Sequence, residues 1–256
     1  MLRSLKEVKG YGILAKDGPI GSVHDFFFDD RIWAVRYIVA DTGSWLPGKK
    51  VLLVPSAVGR PSRETRALPV ALMKEQVKNS PDIDAEKTVS RQREIEFHKS
   101  YLWAAPSPLP HYGIPPGVPP IAPAFPVESR GAPGGEDQRA SRAIDEGDPH
   151  LRSVREVTGY HIQASDGEIG HAEEFIAEDE TWVIRYMVVD TKDWLPGRKV
   201  LVSPGWIERV SWPDSKIFVD LPRETVKNSP AFDPGDPVNR QYEERLYDYY
   251  GRPKYW

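Results

Sequence analysis

Cysteine is missing from this 256-residue sequence. That excludes a disulfide framework, a thiolate nucleophile and any cysteine-ligated zinc or iron–sulfur centre, and it is compatible with a reducing compartment. Long apolar runs are missing too: the most apolar stretch, residues 34–40, is interrupted by Arg36, and the opening MLRSLKEVKG is charged where a signal peptide would be apolar. No membrane span and a cytoplasmic location are therefore expected. Neither charge sign dominates, with 34 Lys+Arg against 38 Asp+Glu, so there is no overall basic field to attract nucleic acid.

What the sequence does contain is a repetition. DTGSWLPGKKVLLVPS, from Asp41 to Ser56, returns as DTKDWLPGRKVLVSPG from Asp190 to Gly205. A shift of 149 positions aligns residues 2–101 with 151–250 without a gap, with 45 identities, and a period of this size means that a whole folding unit is duplicated. Between the copies, residues 104–149 hold 11 of the 25 prolines and 6 of the 20 glycines. Proline at that density supplies no ladder donors, so an extended, disordered spacer is expected. The predicted organisation is 1–103, a linker 104–149, and 150–256.

Within each copy the pattern is that of short strands. YGILA (11–15) and IGSVHDFFFDD (20–30) flank an Asp-Gly turn, as do YHIQA and IGHAEEFIAED in the second copy. WAVRYIVAD (33–41), KVLLVP (50–55) and a strand near 67–72 follow, the last being clearer as KIFVDL at 216–221. About six strands in some seventy residues suit a small closed sheet. Ser80-Pro81 and Ser229-Pro230 read as helix starts, and Val89–Tyr101 and Val238–Tyr250 as longer tail helices, the second opened by Asp236 and Pro237.

The order GY.I.A.DG.IG…DF…D..W.VRY.V.DT..WL.G..V resembles the PRC-barrel family, small six-stranded β-barrels found in the cytoplasmic part of the photosynthetic reaction centre H subunit and in the ribosome maturation factor RimM. The resemblance covers about 75 residues of each copy. It implies a mainly β protein of two tandem PRC-like barrels, each with a C-terminal helix, joined by the proline-rich linker. It also implies protein docking in place of catalysis, with a reaction-centre-type accessory subunit and a ribosome-associated assembly factor as alternatives. The membrane helix of the H subunit and the differently built domain preceding the RimM barrel have no counterpart in this sequence.

Read for chemistry, none of the six histidines (24, 98, 111, 150, 161, 171) recurs at the equivalent place in the other copy, whereas a duplicated active site would be expected to keep its base twice. An enzyme using an unshared histidine such as His24 or His171 is the minor alternative. His24-Asp25 against Glu173-Glu174 reads as exchange on a solvated strand face, and the acidic turns at Asp29-Asp30 and Glu178–Glu180 read as solvated hairpin tips. No catalytic residue, cofactor or metal is assigned. Asp17/Asp166 and Asp41/Asp190 suit turns, and Arg36/Arg185, set in apolar strands, require an outward path or a carboxylate.

The Trp-Leu-Pro-Gly loop carries the binding expectation. Trp45 and Leu46 with Lys49 and Lys50, and Trp194 and Leu195 with Arg198 and Lys199, either anchor the loop on the barrel or present an aromatic hot spot with a basic rim to a protein partner. Charge separates the copies: residues 1–103 carry 17 Lys+Arg against 13 Asp+Glu, and residues 150–256 carry 14 against 19. Oppositely charged barrels could meet different partners or each other. Arg60, Arg63 and Arg66 cluster, but their equivalents are Arg209, Trp212 and Ser215, which argues against a shared nucleic-acid stripe. The expected function is a non-enzymatic scaffold, each unit folding on its own.

Overall fold

The computed structural model describes residues 1–80, 150–191 and 198–256. The expected linker, the first tail helix and the loop tip holding Trp194 and Leu195 lie outside the described residues. The molecule is mainly β, with two multi-stranded sheets.

The first half runs β1 (Leu2–Ser4), a one-turn α1 (Leu5–Val8), β2 (Gly12–Ala15), β3 (Gly18–Asp29), β4 (Ala34–Asp41), β5 (Lys50–Leu53), β6 (Ala67–Pro69) and α2 (Lys74–Lys78). The second repeats this as β7 (Leu151–Ser153), α3 (Val154–Val157), β8 (His161–Ala164), β9 (Gly167–Glu178), β10 (Ile184–Asp190), β11 (Lys199–Val202), β12 (Ile207–Ser211), β13 (Lys216–Val219) and α4 (Arg223–Asn228). A tail helix α5 (Arg240–Tyr250) follows. β2, β8 and β13 match alternating runs with one face in the core, whereas β4, β5, β10 and β11 are buried on both faces, as their near-continuous apolar runs require.

The first sheet orders as β5-β4-β3-β2-β6 and the second as β11-β10-β9-β8-β13-β12. Neither ladder closes on itself. Each instead takes a strand from the other half: β1 pairs antiparallel with β9 (Leu2↔Glu178, Ser4↔Ile176), and β7 with β3 (Phe27↔Ser153, Asp29↔Leu151). The expectation of self-contained units is corrected here, since the first strand of each copy completes its neighbour's sheet. The exchange is reciprocal along the 149-residue offset, giving an approximate two-fold relation.

At the crossing point Val35 N donates to Trp182 O at 2.9 Å and Ile184 N to Trp33 O at 2.7 Å. Trp33 and Trp182 both hold left-handed backbone, φ 51° and 57°, a conformation that costs an indole-bearing residue about 1–2 kcal/mol and that these bonds between halves hold in place. Phe26 lies 6.0 Å from Trp182, and Trp33 6.3 Å from Phe175, so a single aromatic cluster spans both halves. One continuous core results.

Two helix readings change. Ser229 caps the end of α4 and returns its hydroxyl to the Val226 carbonyl at 2.8 Å, and no helix opens at Pro230; Ser80 makes the same bond to Val77 O at 2.7 Å after α2, while the helix expected from Pro81 lies outside the described residues. The tail helix begins at Arg240, capped by Asn239, whose Oδ1 accepts from Tyr242 N at 2.9 Å. Among the described residues no helix is long and apolar enough to cross a membrane.

Candidate functional site

The Trp-Leu-Pro-Gly loop of the first half connects β4 to β5. Asp41 Oδ1 accepts from Gly43 N at 2.9 Å, and the Thr42 hydroxyl, 2.7 Å from both the Leu46 and Lys49 carbonyls, shares its one proton between them, so the loop is braced from its base. Trp45 is half-buried against the core, with Lys74 Nζ 5.7 Å from its ring centroid, and Leu46 is half-buried beside it. Lys49 Nζ donates to the carbonyls of Lys78 (2.8 Å) and Ser80 (2.7 Å), tying the loop to the end of α2. Arg198 makes the equivalent bond to Ser229 O. Lys50 lies in register with Asp41, and Lys199 forms an ion pair with Glu173 at 2.5 Å. Three of the four expected basic rim residues, Lys49, Arg198 and Lys199, thus bind within the chain.

Beside this loop is a surface that the sequence reading missed. In β6 and the stretch after it, Leu68, Val70 and Leu72 point inward while Pro69, Ala71 and Met73 point outward. Leu14 on β2 sits in register between Pro69 and Pro19. Leu14 and Met73 are each 43% exposed. The first half therefore presents an outer face of Pro19, Leu14, Pro69, Ala71 and Met73, which adjoins Lys74 and through it Trp45. In the second half the same positions are Glu168, Gln163, Phe218, Asp220 and Pro222. There Glu168 binds His161 at 2.9 Å, Arg209 lies 3.3 Å over Phe218, and Arg252 binds Asp220 at 2.9 Å. The outward alternation at 69, 71 and 73 was the signal available in the sequence.

The recurring ionisable residues take structural partners. Asp17 accepts from Lys74 N at 2.8 Å and Asp166 from Arg223 N at 2.7 Å, each capping a helix start. Arg36 reaches Asp29 at 3.3 Å and Arg185 reaches Glu178 at 2.8 Å. Burial opposes ionisation of Asp29 and Glu178, but hydrogen bonds from Arg31 and Arg185 outweigh it and hold both carboxyls below their ordinary values.

Two readings of solvated polarity are corrected. Asp25 and Glu174 are 2% and 6% exposed and receive the serine hydroxyls of the crossing strands, Ser153 (2.5 Å) and Ser4. Asp30 and Asp179 receive Arg152 (3.2 Å) and Arg3 (3.1 Å). Asp25, Glu174 and Asp179 are buried acceptors and Asp30 is largely covered because the neighbouring half lies over them, whereas Glu180 at the second tip is exposed, as expected.

The arginine cluster is likewise engaged: Arg60 with Glu180, Arg63 with Glu7 at 2.6 Å, and Arg66 over the Tyr11 ring at 5.3 Å. An open cleft of about 820 Å³ lies between the first arm and the second half's tail, lined among others by Lys6, Glu173, Lys199, Asp236, Arg240 and Tyr255, and no histidine lines it. His24, His150, His161 and His171 lie elsewhere, and His98 and His111 fall outside the described residues. Among the described residues no cluster of histidines and carboxylates is arranged to hold a metal ion. Compared with family models and with curated proteins, the sequence matches none.

Proposed function

We propose that the chain is a non-enzymatic protein-docking scaffold built from two PRC-type β units, with the first half's outer face as its docking surface. The carrying observation is the contrast between the two equivalent faces. Leu14, Pro19, Pro69, Ala71 and Met73 are exposed and apolar, whereas of their counterparts Gln163, Glu168 and Asp220 are polar and Phe218 is covered by Arg209, leaving only Pro222 apolar and exposed. A contiguous exposed apolar face of this kind marks an interaction surface. Trp45, half-buried beside Lys74, extends it with an aromatic edge.

The resemblance of each copy to PRC barrels supports docking over catalysis, and so does the structural use of the shared aspartates and arginines as caps and ion pairs. Crosslinking pull-down from the native host, comparing wild type with Leu14→Glu/Met73→Glu and with Trp45→Ala, tests this. A defined set of partners lost in the first variant, with the melting curve retained, is the expected result. An unchanged set in both variants removes this face as the docking surface.

A further inference from the structure

The two crossing arms dock by one chemistry. Leu2–Ser4 adds to the edge at Ile176–Glu178 and Leu151–Ser153 to the edge at Phe27–Asp29. In both, the second arm residue is an arginine bonded to the aspartate just after the acceptor strand (Arg3–Asp179, 3.1 Å; Arg152–Asp30, 3.2 Å), and the third is a serine donating to a buried carboxylate (Ser4–Glu174; Ser153–Asp25, 2.5 Å). The following turn buries Leu5 and Val8, or Val154 and Val157. Gly10 and Gly159, at φ 84° and 97°, then turn the chain back into its own sheet, a conformation that favours glycine.

Because each arm carries the residues that both edges bind, these contacts do not distinguish a half's own arm from its neighbour's. One position distinguishes the two edges. Lys6 binds Glu173 at 3.0 Å, whereas on β3 the place of Glu173 is taken by His24, beside Lys50 and facing Arg155.

We propose that the β9 edge is a strand-docking site selective for Leu-Arg-Ser-x-Lys/Arg, and that the arm of a second copy of this chain is a ligand it accepts in place of its own. Main-chain pairing supplies the affinity in such strand addition and the alternate side chains the selectivity. Exchange of an identical element between copies adds no new contact chemistry. Both arms of the chain, LRSLK and LRSVR, carry the motif. Occupation by the chain's own arm keeps the site closed at low concentration, since a tethered arm competes at an effective concentration of order mM.

The test uses the otherwise full chain without residues 1–9, which leaves the β9 edge vacant, and a fluorescently labelled peptide of residues 1–9 followed by anisotropy. Saturable binding is expected. It should weaken at least about tenfold for an Arg3→Ala peptide, as for loss of a charge-assisted hydrogen bond. A Lys6→Glu peptide should bind less well and recover on a Glu173→Lys chain, and the intact chain should not take up the peptide. A folded shortened chain that ignores the peptide, or equal binding by the intact chain, overturns the proposal. Should the shortened chain fail to fold, a Leu2→Cys chain and a Glu178→Cys chain are unfolded together and refolded at high concentration, with no native cysteine to interfere. Disulfide-linked dimers support the proposal, and unlinked monomers alone refute it.

Discussion

His24 is the residue at which the two arm sites cease to be equivalent. Burial, and then the charges of Lys50 and Arg155, hold its imidazole below the ordinary value of 6.5. The unfolded chain therefore binds this proton more readily than the folded one. Stability from this source is present above about pH 6.5 and is lost as pH falls below it. At the matching place Glu173 takes both Lys199 and Lys6; burial opposes its ionisation, but those two hydrogen bonds hold it below the ordinary value. His24→Glu should reproduce that arrangement with Lys50 and Arg155. The expected outcome is a gain of about 0.5–1 kcal/mol and a flatter profile between about pH 7 and pH 5.5, read by urea denaturation across pH. A loss of stability at every pH would count against the assigned environment. The carboxyls of Glu7, Asp29, Glu173 and Glu178 all lie below their ordinary values. Their contribution is present above about pH 4.5 and declines as acid titrates them.

Gly21 and Gly170 set the approach of β3 to β4 and of β9 to β10. Both have φ 135°, and a Cβ on either would fall well inside contact with the carbonyl of Asp41 or Asp190. Gly21→Ala and Gly170→Ala should each cost at least about 2 kcal/mol, measured as a fall in the urea midpoint. A loss under about 0.5 kcal/mol would mean that the strands are further apart than described.

The long strands were legible in the sequence because a short, near-continuous run of aromatic and β-branched residues between turn signals reports a strand buried on both faces, as in residues 34–41. The arms were not. Leu2–Ser4 and Leu151–Ser153 are three residues long and carry no period, and their partner strand lies in the other copy. Since the pairing was hidden, Asp25, Asp30, Glu174 and Asp179 read as solvated although each receives an arm residue. The outer face at Leu14, Pro69 and Met73 was hidden for a different reason: an exposed apolar residue and a buried one look alike in a short strand until the inward parity of Leu68, Val70 and Leu72 is known. In the Trp-Leu-Pro-Gly loop the turn was legible, but the bonds of Lys49 and Arg198 to helix ends were not, because those ends lie about thirty residues away.

At the scale of the whole molecule, the duplication is a dimer-like arrangement within one chain. The positive excess of the first half meets the negative excess of the second at Arg3–Asp179, Lys6–Glu173 and Arg60–Glu180, while Arg152–Asp30 runs the other way. Exposed pairs such as Arg60–Glu180 contribute up to about 1 kcal/mol each and are screened by salt. The shared aromatic cluster and the two three-residue ladders should carry most of the association. Unfolding should accordingly be a single transition, with calorimetric and van't Hoff enthalpies in agreement; two resolved transitions would show halves that fold independently. The most direct measurement is the mass in solution after a protease site placed within residues 104–149 of the full chain has been cut. The account predicts a one-to-one complex of the two fragments that persists through dilution and moderate salt. Fragments that separate into two folded monomers would contradict it.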